Sequence, residues 1–137
     1  MDSQIELVKN WLIKSQNDLL AAIKLSDDPE IYGDTAIYHC QQSAEKAVKG
    51  FLVLHNQNFP KTHDIRLLVQ LAIAINPDFV KYQEASEILT PYATEYRYPS
   101  DIMQPTPDEL ENALVYAEEI FDFVSSLIID LDEDQTR

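Results

Sequence analysis

The chain has 137 residues, of which 45% are apolar and 25% charged, a size and composition typical of one globular domain. Its two glycines leave no room for the glycine-rich phosphate loops or nucleophile elbows of common nucleotide-binding and hydrolase folds. The single cysteine, Cys40, allows no intramolecular disulfide, and neither a signal peptide nor a membrane-spanning run is visible, so we expect a cytoplasmic protein.

The net charge of −14 is unevenly distributed, since residues 107–137 alone carry −9. We predict one domain over residues 1–130, followed by an acidic tail over 131–137. An acidic chain repels nucleic-acid backbones at long range, so we expect no DNA partner and disfavour RNA. Residues 46–66 are the exception, because they carry four basic side chains against one carboxylate. A small anion could be attracted there, although ordinary solvated lysines would give the same pattern.

The first predicted helix begins at residues 3–6, which read S-x-x-E and form a capping box. Apolar residues then recur at helical spacing over residues 5–22, and Ser-Asp-Asp-Pro at 26–29 ends the helix.

The second helix is predicted to start near Ile31 or Asp34 and to run to Asn56, with an apolar stripe over residues 37–54. Gly50 lies on this helix and allows the backbone of a partner helix to approach closely. Residues 56–60 form a turn.

The third helix is short, with Thr62 as its predicted cap and Asn76-Pro77 as its stop. A fourth helix is predicted over residues 78–98, with a kink near Pro91, because proline lacks the N–H that a helix interior requires.

The last helix starts at Thr106-Pro107, where a cap residue precedes a proline at the first helical position. Its apolar residues recur from Leu110 to Ile128. The sequence therefore predicts an all-α fold, an up-and-down helical bundle of about five helices, four long and one short.

A row of polar residues borders the apolar stripe of the second helix at spacings of three and four, so these residues share one side of the helix. They are Tyr38, Gln41, Gln42, Glu45 and Lys49. Three interpretations stay open: contacts to a base or ribose, the seam of a helix–helix dimer, or the solvated edge of an amphipathic helix.

The remaining chemistry-bearing residues give weak signals. His39, His55 and His63 do not have the spacing of metal ligands on one helix, so we predict no metal site. Cys40 falls on the apolar stripe, where a buried structural thiol is the usual outcome. We predict no catalytic residues from these patterns.

Three short segments, at residues 41–49 (QQSAEKAVK), 60–65 (PKTHDI) and 97–99 (RYP), resemble the HEPN (higher eukaryotes and prokaryotes nucleotide-binding) domain family in order and spacing. The resemblance spans about residues 8–125. It implies a helical bundle that commonly dimerises and often pairs with a small nucleotidyltransferase, as in toxin–antitoxin pairs. It also implies that many relatives are metal-independent RNases, with an arginine followed four to six residues later by a histidine.

This sequence departs from the RNase pattern, because each of its three arginines follows all three of its histidines. The resemblance therefore favours a protein that binds a nucleotide or a partner over an enzyme. The alternative is an RNase toxin whose site departs from the family pattern and combines Arg97 with the non-sequential His63.

Arg97 lies among three tyrosines, at positions 92, 96 and 98, whose rings could stack a base while the guanidinium holds a phosphate. Equally, the tyrosines could pack in the core, with Arg97 paired to Glu95 or Asp101. No cofactor is required, and the expected ligand is an ATP-like nucleotide. The candidate nucleotide- or anion-binding residues are Gln41, Gln42, Glu45, Lys46, Lys49, Lys61, His63, Arg97 and Tyr98.

Overall fold

The computed structural model describes residues 3–99 and 103–135, with side chains described up to residue 128. The described residues form helices and connecting turns and contain no strand. Their five α-helices are α1 (Ser3–Leu25), α2 (Pro29–Leu54), α3 (Ile65–Ile75), α4 (Gln83–Leu89) and α5 (Pro107–Gln135). Short 3-10 helices occupy Pro77–Tyr82 and Thr90–Ala93. The predicted all-α bundle is confirmed.

Helices α1 and α2 form an antiparallel pair whose backbones approach closely. A Cβ added at Gly50 would lie 3.0 Å from the Cβ of Trp11, so this glycine provides the room that the sequence predicted. Further along the interface, Ser15 Oγ donates to the Ser43 carbonyl at 2.7 Å, and both serines are fully buried. The buried hydroxyl has a partner, which burial of a polar group requires.

Helix α2 is the centre of the bundle, because every other described α-helix packs against it. Over residues 40–52 each side is covered, and only Lys46 is partly exposed. The apolar stripe contributes Ile37, Ala44, Val48 and Phe51 to the core. Burial of the larger of these side chains stabilises the fold by about 1.5–3 kcal/mol each, before the loss of chain entropy is counted.

The predicted fourth helix differs from the structure, because residues 77–93 form a 3-10 helix, the seven-residue α4 and a second 3-10 helix. Pro77 and Pro91 each lie in the first turn of a 3-10 helix, where their missing N–H costs little. Hydroxyl groups satisfy carbonyls of α4 near its end, since Thr90 Oγ1 donates to the Ser86 carbonyl at 2.7 Å. Of the five described α-helices, three are therefore long and two short.

Of the two helix caps compared next, the one predicted for α5 is correct and the one predicted for α3 is wrong. Thr106 caps α5 as expected: its Oγ1 accepts from the Glu109 N–H at 3.2 Å, while Glu109 Oε1 accepts from the Thr106 N–H at 3.1 Å. Thr62 does not cap α3. The cap is Asp64, whose carboxylate accepts from the Arg66 N–H at 3.0 Å, and the Thr62 hydroxyl accepts from the Asp64 N–H.

Helix α5 continues to Gln135, so residues 131–135 prolong the last helix through most of the predicted acidic tail. Within the described ranges, no helix combines the length and apolar character that a membrane crossing needs.

Candidate functional site

A buried polar network lies along α2, at the level where the α2–α3 connection passes over it. Glu45 is at its centre and only 3% exposed. Its Oε2 accepts from the Lys49 ammonium at 3.0 Å, and its Oε1 lies 3.2 Å from Gln41 Nε2 and 2.9 Å from His63 Nδ1. Gln41 Nε2 also donates to the His63 carbonyl at 2.9 Å. The network therefore fastens the connection onto α2.

The buried polar side chains of this network form hydrogen bonds and ion pairs with one another. Gln42 Nε2 donates to Gln41 Oε1 at 2.7 Å, and Lys49 is 8% exposed. The Lys49 ammonium also lies 5.8 Å from the centroid of the Trp11 ring and 5.7 Å from that of Phe59, within cation–π range. The predicted row of polar residues is thus, from Gln41 to Lys49, an internal ion-pair and hydrogen-bond network with no open surface of its own.

A second polar cluster joins α1 to α2 through one carboxylate. Asp18 Oδ1 lies 2.7 Å from His39 Nδ1, and Asp18 Oδ2 accepts from the Lys46 ammonium at 2.7 Å. His39 and Lys46 keep 28% and 26% of their side chains exposed, whereas Asp18 keeps 11%. Two basic groups of α2 are therefore held at the surface by an acid that is itself nearly buried.

Beside this cluster, a cleft of about 360 Å³ opens between the first half of α2 and the chain that follows Thr90–Ala93. Arg97 forms one wall. Its guanidinium carbon lies 4.2 Å from the centroid of the Tyr38 ring, and its Nη1 donates to the Ala93 carbonyl at 3.1 Å. The lining residues are Asp34, Thr35, Tyr38, His39, Tyr96 and Arg97.

The wall that carries Arg97 is fixed by two tyrosines and the first turn of α5. Tyr92 and Tyr96 stack with their ring centroids 6.2 Å apart, and their hydroxyls donate to Glu109 Oε2 at 3.3 and 2.9 Å. Burial, with the carboxylate of Glu109 nearby, raises the pKa of Tyr92 to about 12 and that of Tyr96 further. Burial by itself would raise the pKa of Glu109, but hydrogen bonds from Thr106 and the two tyrosines lower it overall.

The predicted ligand residues outside α2 have different surroundings. Tyr98 is 64% exposed and lines a smaller cleft of about 260 Å³, which Arg97 also lines. Lys61 is exposed on the α2–α3 connection. His63 keeps 69% of its side chain exposed, yet it contacts Glu45, about two helical turns from the Tyr38 that Arg97 covers. The structure thus brings Arg97 next to His39 and not next to His63. Asp101, a predicted partner of Arg97, lies outside the described residues.

Sequence reasoning missed the joint role of Asp18 and His39, which are 21 residues apart. The available signal was a break in the apolar pattern of α1, where Ser15 and Asp18 interrupt the stripe of the helix that faces α2. Buried polar residues on a core-facing stripe require partners, and those partners lie across the helix pair.

Three other features of the described residues bear on ligand, metal and thiol chemistry. A wider cleft of about 720 Å³ lies between the start of α1 and the end of α2, but amide side chains line it, and none of the described Lys, Arg or His side chains does. It offers no cation to an anion. No group of three or more His, Cys, Asp or Glu side chains converges in the described parts of the chain as metal ligands would. Burial raises the pKa of the Cys40 thiol to about 12, which makes it a poor nucleophile.

The HEPN domain family model matches residues 8–127, close to the span of the predicted resemblance. An archaeal HEPN homologue of known structure is 25% identical and superposes with a TM-score of 0.68, covering 88% of this chain and 97% of that chain. A protein from Thermus thermophilus is 28% identical, with a TM-score of 0.67 over 87% of this chain and 96% of that chain. No curated protein matches the chain significantly.

Proposed function

Because this chain belongs to the HEPN domain family, we propose that it binds a nucleotide or a related phosphate-bearing ligand in the cleft at Arg97. The observation that carries this proposal is the position of the Arg97 guanidinium, stacked on Tyr38 in a cleft that His39 also lines. A planar guanidinium held against a ring presents its edge N–H groups to phosphate oxygens.

The availability of the Arg97 guanidinium supports an anionic ligand in spite of the net charge of −14. Among the described residues, no carboxylate pairs with Arg97. The guanidinium of Arg97 has five N–H donors, and only one of them donates to the Ala93 carbonyl. Asp34 also lines the cleft, and its carboxylate accepts from the Thr35 N–H at 2.8 Å. A carboxylate in that position would accept hydrogen bonds from ribose hydroxyls and would repel a phosphate. We therefore place the phosphate at Arg97 and the sugar towards Asp34.

Of the predicted ligand residues, the proposed site keeps Arg97, and it adds Tyr38 and His39, which line the same cleft. Tyr98 lines only the smaller neighbouring cleft, which Arg97 also lines. The proposed site leaves out Gln41, Gln42, Glu45 and Lys49, because these side chains are buried and bonded to one another. It also leaves out Lys61 and His63, since neither lines the cleft. Lys46 contributes at a distance by sharing Asp18 with His39.

Calorimetric titration with ATP at low salt tests the proposal, with Arg97→Ala as the diagnostic variant and Arg66→Ala as its matched control. Arg66 is exposed and paired with Asp64 at the start of α3, outside the cleft, so the control makes the same change in net charge. We expect saturable binding by the wild type and by Arg66→Ala, and its loss in Arg97→Ala. A flat titration of the wild type at millimolar ATP, or equal binding by the two variants, would refute it.

We further propose, from the family resemblance, that the protein pairs with a small nucleotidyltransferase through the exposed face of α5. That face carries the exposed acids Asp108, Glu111, Glu118, Glu119 and Asp122 around Val115, which is 49% exposed. Such a surface steers a basic partner towards it. It would repel its own copy, so a homodimer has to use a different face.

Light scattering after size-exclusion chromatography tests the proposed pairing, using the purified chain alone and with a nucleotidyltransferase from the same organism. We expect a dimer alone and a larger complex with the partner. Reversing the charges at Glu118 and Glu119 should abolish the complex and leave the dimer intact. A complex that survives both reversals would exclude α5 as the docking face.

The alternative function is metal-independent RNA cleavage, and one observation favours a site that differs from the sequence prediction. His39, rather than His63, shares the cleft with Arg97, and Asp18 holds its Nδ1, which leaves Nε2 for proton transfer. In such a site His39 would take the proton of a ribose 2′-hydroxyl while the 2′-oxygen attacks phosphorus. The bond from phosphorus to the 5′-oxygen breaks, which leaves a 2′,3′-cyclic phosphate, and the departing 5′-oxygen takes a proton from water. Arg97 stabilises the charge that builds on the phosphoryl oxygens.

Incubation with single-stranded RNA in the presence of a chelator separates the two functions. Cleavage that is lost in His39→Ala and Arg97→Ala, but kept in His63→Ala, would establish the RNase. Binding of ATP without cleavage would leave nucleotide binding as the function, as we expect from the missing arginine-then-histidine pattern. Loss of cleavage in His63→Ala alone would move the site to the α2–α3 connection.

A further inference from the structure

Tyr96 has an unusual backbone conformation, with φ of 68°, in the left-handed region that bulky side chains rarely adopt. Among the described residues only Asn56 shares a positive φ, and asparagine tolerates that region well. Such a conformation persists only where surrounding contacts impose it. The residue that follows Tyr96 is Arg97, so the conformation decides where the proposed ligand-binding guanidinium lies.

The hydroxyl at the end of the Tyr96 side chain donates a hydrogen bond, 2.9 Å long, to Glu109 Oε2. Glu109 cannot turn away, because its other carboxylate oxygen accepts the Thr106 N–H in the capping box of α5. The start of a 29-residue helix therefore acts as a fixed support for the Tyr96 side chain. A charged acceptor makes this bond stronger than one between neutral groups.

The chain after Tyr96 has few other restraints. The Arg97 N–H donates to the Thr94 carbonyl at 3.2 Å, and its Nη1 reaches the Ala93 carbonyl, both within the same short segment. Tyr98 is exposed. The hydrogen bond from Tyr96 to Glu109 therefore ties this segment to α5 immediately before Arg97, beside the stacking of Tyr96 on Tyr92 and of Arg97 on Tyr38.

We propose that the Tyr96–Glu109 hydrogen bond positions Arg97 against Tyr38, so that Tyr96 and Glu109 are positioning residues of the phosphate-binding cleft. The role in ligand binding rests on the proposed function, whereas the positioning of Arg97 does not. Without the bond, residue 96 relaxes out of the left-handed region, and the guanidinium leaves the Tyr38 ring.

The test compares Tyr96→Phe with Tyr92→Phe. Each variant removes one hydroxyl from the same oxygen of Glu109, but residue 92 is five positions before Arg97 and does not line the cleft. The primary measurement is the NMR chemical shift of the Arg97 side-chain protons, which the Tyr38 ring shifts upfield when the two are stacked. The second measurement is the dissociation constant for ATP.

In Tyr96→Phe we expect the upfield shift of the Arg97 protons to disappear and the dissociation constant to rise about ten-fold, the effect of losing one charge-assisted hydrogen bond. In Tyr92→Phe the shift should persist, and ATP binding should change by less than about two-fold, since its longer bond lies further from Arg97. An unchanged Arg97 shift in Tyr96→Phe, or an equal loss in both variants, would overturn the proposal.

The shift measurement needs no ligand, so its failure is distinct from failure of the proposed function. A wild type that does not bind ATP but shows the predicted shifts would refute nucleotide binding and support the positioning role. Should Tyr96→Phe not fold, Glu109→Gln gives the same test. Glutamine has one side-chain oxygen where glutamate has two, so it cannot accept from both the Thr106 N–H and the Tyr96 hydroxyl. The Arg97 shift should then fall, and no change would again overturn the proposal.

Discussion

Replacement of Lys49 by methionine should destabilise the protein far more than replacement of a surface lysine does. Methionine keeps the apolar stem between Trp11 and Phe59 but removes the ammonium that donates to Glu45 at 3.0 Å. Breaking a buried pair by removing one partner costs about 3–5 kcal/mol. Glu45 still has the amide of Gln41 at 3.2 Å and the imidazole of His63 at 2.9 Å, so we expect the lower end, about 3 kcal/mol.

For a domain of this size, that loss corresponds to a fall in melting temperature of roughly 8–10 °C. Urea unfolding followed by far-ultraviolet circular dichroism and by fluorescence of Trp11, the only tryptophan, measures the loss of stability. Lys14→Met is the matched control, since Lys14 is exposed on α1 and should change stability by less than about 0.5 kcal/mol.

A double-mutant cycle separates the ion pair from the packing. Glu45→Gln alone strands the buried ammonium, but the double variant Glu45→Gln/Lys49→Met removes both charges together. We expect the double variant to be more stable than the sum of the single losses predicts, by roughly 1–3 kcal/mol. A loss below about 1 kcal/mol for Lys49→Met, or additivity within about 0.5 kcal/mol, would refute the reasoning.

Three further predictions concern packing and protonation. Gly50→Ala should lower the free energy of unfolding, measured with urea, by about 1 kcal/mol, because a clash with Trp11 outweighs the gain in helix propensity. Gly33→Ala should leave the free energy of unfolding nearly unchanged, because the neighbour closest to the added Cβ is the end of a flexible side chain. Cys40 should resist thiol reagents at pH 8 until the protein is unfolded, since burial raises its pKa to about 12; fast labelling of the folded state would contradict its burial. The pKa of Tyr92 is raised from 10.0 to about 12, which means that folding favours the neutral phenol. The Tyr92 hydroxyl therefore contributes fully to stability below pH 10, and this contribution is lost as the pH rises towards 12. Tyr92→Phe should reduce the fall in melting temperature over that range and leave the part due to Tyr96, whose pKa is also raised. An unchanged fall would show that Tyr92 does not contribute to it.

Most of the fold follows from local sequence signals. The cap residue and proline at Thr106-Pro107 and the helical spacing of α2 predict those helices well, because each signal acts within a few residues. The fourth helix was harder to predict. Its apolar residues have helical spacing, but the segment consists of short 3-10 and α pieces, with Pro77 in the first turn of one 3-10 helix and Pro91 in the first turn of the other. These pieces are stabilised by packing on their neighbours, α3 above all.

The candidate site depends on contacts between distant segments, which one sequence does not reveal. The spacing of Gln41, Glu45 and Lys49 shows that they share a side of α2, but their burial depends on the α2–α3 connection that crosses them. The pairing of Asp18 with His39 requires the register between α1 and α2. The sequence singled out Arg97 as the most promising cation, yet its placement on Tyr38 depends on the backbone before it.

The central position of α2 has a consequence for the synthesis of the chain. Helix α1 leaves the ribosome before α2 and can pair with it at once, but α5 begins only at Pro107, long after α2 ends at Leu54. At about 5–20 residues per second, the side of α2 that packs on α5 waits several seconds for its cover. Nascent chains stalled before Pro107 should therefore bind chaperones, and release from the chaperone should coincide with the emergence of the last helix.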